Sequence, residues 1–220
     1  MVFLVAAVSL FAQSGDIFIG YYNCFLGYLK GSNTELSDKL IGEYVNDYDG
    51  RFYQRNRNNE FEWPGIAQRF REDLRQAVLN HDMNSEYGVA YSVDFGLYDF
   101  NRGGFPIEIR RGTTMSLNSR GSESKLSPIA IYLTDLEKYN FFPIDKESAN
   151  ELIKSRIDES GEVNRRLTIL IYFKMDSFVG QAYTSFVNRL GKGFFHVMGT
   201  IVSIEAYNGE TKIGDLMAAH

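Results

Sequence analysis

The chain has 220 residues, 44% hydrophobic and 23% charged, with four prolines and a formal net charge of −5. That composition excludes a disordered tail, a collagen-like rod and a disulfide-stapled miniprotein, and folding would bury roughly 70% of the extended chain's surface. The acidic balance also argues against a nonspecific nucleic-acid binder, whose affinity rests on Lys and Arg displacing counterions from phosphates.

No Lys or Arg precedes Lys30, and Val2 to Ala12 is a run of eleven residues without a charge. It is too short for a membrane-spanning helix, which needs about twenty. Its length fits the apolar core of a secretory signal, and Ala12 and Ser14 supply small residues for cleavage before Gly15. The expectation is therefore a signal peptide over 1–14 and a single α+β domain over 15–220, periplasmic or secreted and not membrane-spanning once cleaved. The alternative is that this run is a buried first strand or helix. A second apolar run, Ile17 to Leu29, is interrupted by Gly20, Asn23, Cys24 and Gly27 and reads as docked, aromatic-rich chain.

Asn33 or Thr34 can cap a helix, and Leu36, Leu40, Ile41, Tyr44, Tyr48 and Phe52 then recur along one face. Gln54 to Asn59 has no periodicity and predicts a loop. Pro64 suits the first turn of a second amphipathic helix, with Ile66, Phe70, Leu74, Ala77 and Val78 on its apolar stripe and its end near His81. From Tyr87 the period becomes two, through Val89, Tyr91, Val93, Phe95 and Leu97. It slips near Gly96, which predicts a bulge. Asn101 to Gly104 is turn chemistry and Phe105, Ile107 and Ile109 resume the alternation, so Tyr87 to Arg111 reads as a long hairpin.

Arg120 to Lys125 reads as a surface loop, and Pro128 introduces a strand over Ile129 to Thr134. Asp145 is placed to cap a helix of about eleven residues, with Ala149, Leu152 and Ile153 turned inward. Arg166 to Met175 is apolar on both parities, the mark of a strand at the centre of a sheet. Asp176 to His196 predicts either a short helix over Ala182 to Leu190 or a lid. Finally, Asn208-Gly209 predicts a tight hairpin turn that sets Tyr207 opposite Glu210, Glu205 opposite Lys212 and Ile204 opposite Ile213. The fold class expected is α+β: two N-terminal amphipathic helices packed on a mainly antiparallel sheet of five or six strands, with one inserted short helix.

Familiar catalytic patterns are missing. The histidines His81, His196 and His220 are not at metal-ligand spacing, and Cys24 reads as a small core residue. There is no G-x-S-x-G elbow and no phosphate-cradling glycine loop, so neither metal nor cofactor is expected. Arg51, Arg55 and Arg57 interleave with Tyr53, Phe61 and Trp63, but Glu60 and Glu62 dilute the charge, and a solvated loop is preferred over a nucleic-acid contact. The stretch singled out is Phe95 to Arg111. Its candidate binding residues are Tyr98, Asp99, Arg102, Phe105, Arg110 and Arg111, which join aromatics, an acid and arginines as a recognition surface requires. The plainer reading is an edge hairpin protected from aggregation by charge. Asp94, Asp99 and Glu108 leave open a second reading, a carboxylate-dependent hydrolase acting on a polar substrate.

Tyr98-Asp99-Phe100 followed by Phe105-Pro106, then Phe142-Pro143-Ile144-Asp145 entering a short helix, and an Arg165-Arg166 strand ending in Phe173-Lys174 form a recognisable set. With the apolar leader, the chain resembles a bacterial family of exported proteins, domain of unknown function 4852, over residues 34 to 216. The resemblance implies an exported bacterial domain and no particular reaction, ligand or site residue. The function expected is a binding or interaction module of the cell envelope, its partner another protein or an envelope component.

Overall fold

The computed structural model describes residues 17–119, 126–179 and 195–218. The expected signal peptide, the loop at 120–125 and the helix or lid at 182–190 lie outside the described residues. Within them the order is β1 (Ile17–Ile19), α1 (Tyr21–Ser32), α2 (Asp38–Tyr48), α3 (Gly50–Asn56), α4 (Trp63–Asn80), β2 (Glu86–Phe95), β3 (Gly104–Glu108), β4 (Thr114–Leu117), β5 (Ile129–Thr134), a 3-10 turn (Leu136–Lys138), β6 (Phe141–Pro143), α5 (Lys146–Lys154), β7 (Arg166–Val179), β8 (Phe195–Asn208) and β9 (Thr211–Asp215). The class is α+β, as the patterns predict. The sheet is larger than expected: nine strands instead of five or six, and mixed instead of mainly antiparallel. Its main path runs β4-β5-β8-β7-β2-β3-β6, with β1 on β2 and β9 on β8. The strand predicted to be central, β7, is central.

The described residues divide into two compact units. The first contains α1 to α4 and residues 116–119, 126–131, 175–179 and 195–198. Four helices precede the long strands where two were expected. The first, α1, is the docked, aromatic-rich stretch, to which no helix was assigned: Tyr21, Cys24, Phe25, Tyr28 and Leu29 are all buried, so the helix lacks the polar face that periodicity detects. Phe25 and Tyr28 lie 5.7 and 4.6 Å from the ring of Phe195. Asn33, expected to open a helix, instead closes α1 in the left-handed conformation (φ 50°). The cap of α2 is Ser37, whose hydroxyl accepts from the Leu40 amide at 3.3 Å. The long helix expected through Phe52 breaks at Asp49, which is extended and whose carboxylate accepts from the Phe52 amide at 2.9 Å. A new helix, α3, starts there and takes in Gln54 to Asn56 from the predicted loop. Pro64 does stand in the first turn of α4, and Leu74 is the buried centre of its stripe.

Where α4 ends, His81 is buried and its Nε2 lies 2.6 Å from the Tyr87 hydroxyl. Lys30 Nζ donates to the carbonyls of Leu79 (2.8 Å) and His81 (2.6 Å). Burial holds the His81 pKa below the ordinary value and the Lys30 ammonium adds to this, while Asp82 opposes it. The unfolded chain therefore takes up a proton at this site more readily than the folded one, so stability is full above the ordinary histidine value and declines as pH falls through it. Urea unfolding followed from pH 8 to pH 5 is expected to show this decline, and His81→Gln is expected to remove that part of it. An equal decline in the variant would assign it elsewhere.

The second unit contains residues 88–115, 132–174 and 199–218. Asp145 caps α5 as predicted, its carboxylate accepting from the amides of Glu147 (2.9 Å) and Ser148 (3.0 Å). Its helix has nine residues. The C-terminal hairpin forms with a different register from the one expected. Asn208 faces Thr211 and Tyr207 faces Lys212, then a bulge brings Ala206 opposite Gly214 and Glu205 opposite Asp215. The central turn pair is Gly209-Glu210, because Gly209 takes the positive φ (63°) at the first position, as glycine does in a type II′ turn. The Glu205–Lys212 ion pair survives as a diagonal contact at 2.6 Å, within reach of long side chains.

Candidate functional site

The second unit carries the hairpin that the sequence singles out. Phe95 pairs with Ile107 and Asp94 with Glu108, while nearer the turn Asp99 pairs with Gly104. Three residues (96–98) therefore face two (105–106) between these pairs, the extra residue predicted at Gly96. This bulge ends the regular strand and turns Leu97 outward, 75% exposed, instead of into the core.

The tip beyond the bulge is held from several directions. The Asp99 amide donates to Gly104 O at 2.8 Å, and the Asp99 carboxylate accepts from the amides of Asn101 (2.9 Å) and Arg102 (3.1 Å). Such an Asx turn fixes the four residues it spans. The Tyr98 hydroxyl donates to Ile144 O at 3.1 Å, and its ring meets Phe100 and Phe105 edge-on at 5.0 and 5.3 Å. Phe105 is buried and stacks edge-on with Phe95 at 4.9 Å. The Arg102 guanidinium lies 3.8 Å from the centre of the Phe141 ring, a cation–π contact. Phe100 remains 74% exposed, with Lys146 Nζ 5.8 Å from its centre.

Of the six candidate residues, the structure brings Tyr98, Asp99 and Arg102 together at the tip and sets Phe105 beneath them as its foundation. Arg110 and Arg111 stand beyond the other end of β3. Arg110 is 3.4 Å from Glu108 and Arg111 is 4.0 Å from Glu137, both on open surface. Asp94 and Glu108 face each other as exposed cross-strand neighbours. The sequence reading missed Phe141 and Lys146, which reach the tip from β6 and α5. A signal for them did exist. The motifs Tyr98-Asp99-Phe100…Phe105-Pro106 and Phe142-Pro143-Ile144-Asp145 are brought side by side by the β3–β6 ladder, Phe105 opposite Phe142 and Pro106 opposite Phe141.

Two apolar side chains, Leu97 in the bulge and Phe100 in the turn, stand exposed beside this set of hydrogen bonds and ring contacts. The Asp99 carboxylate is engaged by two backbone amides. No group of three His, Cys, Asp or Glu stands together as metal ligands among the described residues, and no helix among them is long and apolar enough to cross a membrane.

The class defined so far is an α+β protein whose β3–β6 ladder carries a hydrogen-bonded hairpin tip. Its family can be stated as well: the family model of Domain of unknown function (DUF4852) matches residues 37–154, over half of the chain, and the chain belongs to that family. The match runs from the cap of α2 to the end of α5, so it takes in both motifs that build the tip and stops short of β7 to β9. No curated protein and no solved structure matches the chain.

Proposed function

We propose that this protein is an exported bacterial domain of the cell envelope that works by binding, inserting Leu97 and Phe100 of the hairpin tip into an apolar recess of another protein. The observation that carries the reading is the high exposure of these two side chains on a stretch of backbone whose neighbours Tyr98, Asp99 and Arg102 are hydrogen-bonded in place. A large apolar side chain held in one conformation loses little entropy on association and buries apolar surface at about 25 cal/mol per Å2. Support for export is the uncharged run Val2 to Ala12 with Ala12 and Ser14 before Gly15. The carboxylates do not favour the hydrolase: Asp99 is engaged by backbone amides, and Asp94 and Glu108 lie on an open strand face.

A photo-crosslinking amino acid placed at Phe100 in the producing cell tests the reading. One discrete adduct is expected there and none from the same probe at exposed Gln76 on α4. Adding Leu97→Asp should reduce the adduct about tenfold at unchanged protein level. The same adduct from position 76, or no response to Leu97→Asp, overturns the binding surface. N-terminal sequencing tests the address, with Gly15 as the expected first residue of the exported chain; a cytoplasmic chain beginning at Met1 overturns it.

A further inference from the structure

The first unit has a cleft of 970 Å3 between the end of α1, the linker and start of α2, and one stripe of α4. This volume is at the upper end of the range for small-molecule sites, about 300–1,000 Å3. Its lining is two-natured. Leu29, Leu36, Val78 and Leu79 give it apolar wall, and Leu79 is 59% exposed. Lys30, Arg71 and Arg75 bring three positive charges against two negative ones, Glu35 and Asp38, in a chain whose net charge is −5. On α4, positions 71, 75, 78 and 79 are spaced as neighbours on one helix face, so cations and apolar side chains line the same wall.

The lining holds one more cation than carboxylates, and the three cations are engaged to different degrees. Arg71 is occupied: it pairs with Asp38 and its Nε donates to Leu36 O at 3.1 Å, which fixes the linker to α4. Lys30 donates to two backbone carbonyls and has no carboxylate within ion-pair distance among the described residues. Arg75 is 63% exposed and its nearest carboxylate, Glu72 at 3.8 Å, is outside the lining. At the start of α2 the Ser37 hydroxyl already serves as cap, so the lysine and arginine, and not the helix end, supply the attraction.

We infer that this cleft binds an amphipathic anion, a carboxylate or phosphate ester bearing a short unbranched apolar chain. The anionic head sits at Arg75 and Lys30, and the apolar chain lies along Val78, Leu79 and Leu36. This ligand site is separate from the hairpin tip and does not depend on the tip's role.

Calorimetry and amide NMR on the full chain test it with decanoate and decyl phosphate, using decanol and inorganic phosphate as comparisons. Both amphiphilic anions are expected to saturate one site, with decanol and phosphate about tenfold weaker or worse. Arg75→Glu and Leu79→Asp, both at exposed positions, should each weaken binding about tenfold without moving the melting temperature, and Arg110→Glu in the other unit should leave it unchanged. Equal binding of decanol, no saturation, or indifference to both cleft variants overturns the inference. Phosphatidylglycerol vesicles are expected not to co-sediment the chain. Co-sedimentation abolished by Arg75→Glu would make the cleft a membrane contact and overturn the free-ligand assignment.

Discussion

Gly104→Ala is expected to lower stability by about 3 kcal/mol, at the upper end of what an overfilled site costs. A Cβ at this position would stand 2.3 Å from Phe142 O and 2.8 Å from the Phe141 ring. The first of these is a backbone atom in the β6 strand paired with Gly104, so it has no rotamer to escape into. Relief requires β3 and β6 to separate, which would also disturb the Tyr98–Ile144 hydrogen bond and the Arg102–Phe141 contact. The measurements are the urea midpoint and, independently, the near-ultraviolet signal of the tip aromatics. A variant with the parent's midpoint and spectrum would show that the ladder yields easily, and the tip would then lose its claim to rigidity.

Arg156→Lys is expected to cost about 2 kcal/mol, nearly as much as Arg156→Met. The guanidinium of Arg156 donates to three acceptors on different segments: Nε to Asn164 O at 3.0 Å, Nη1 to Asn208 Oδ1 at 3.0 Å, and Nη2 to Arg166 O. It thus ties the loop after α5 to the start of β7 and the end of β8. Burial pushes its pKa below the ordinary arginine value, and all three acceptors are neutral, so directional hydrogen bonding and not ion pairing is the basis of its contribution. Lysine keeps the charge but offers a single nitrogen, which cannot reach three segments at once. Denaturant unfolding of the two variants decides this. Full rescue by lysine would mean that charge alone matters.

Elements whose signals are local were legible in the sequence. Pro64 at the head of α4, Asp145 as cap of α5 and the strand after Pro128 all depend on a residue's own backbone preferences and appear where those preferences place them. The apolar residues on both parities of Leu167 to Met175 likewise pointed to the centre of the sheet, where β7 lies, although its burial is largely one-sided there: Thr168 and Lys174 are exposed and Leu170 is half-buried. What was lost depends on distant partners. Burial of α1 leaves it without an amphipathic stripe, and β4 and β6 have only four and three residues. Competing caps misled the start of α2: Asn33, Thr34 and Ser37 are all suitable, and the choice fell to Ser37 because Asn33 was needed to close α1. The tip was half legible. Its bulge, turn and aromatics lie within one stretch, but Phe141 and Lys146 join it only through a ladder between strands more than thirty residues apart.

The tilted ring contacts of Phe25 and Tyr28 with Phe195 bear on how the chain folds. These contacts join α1 to β8 across about 160 intervening residues, so the aromatic face of α1 gains its packing only once that distant strand is available, a long-range closure that slows folding.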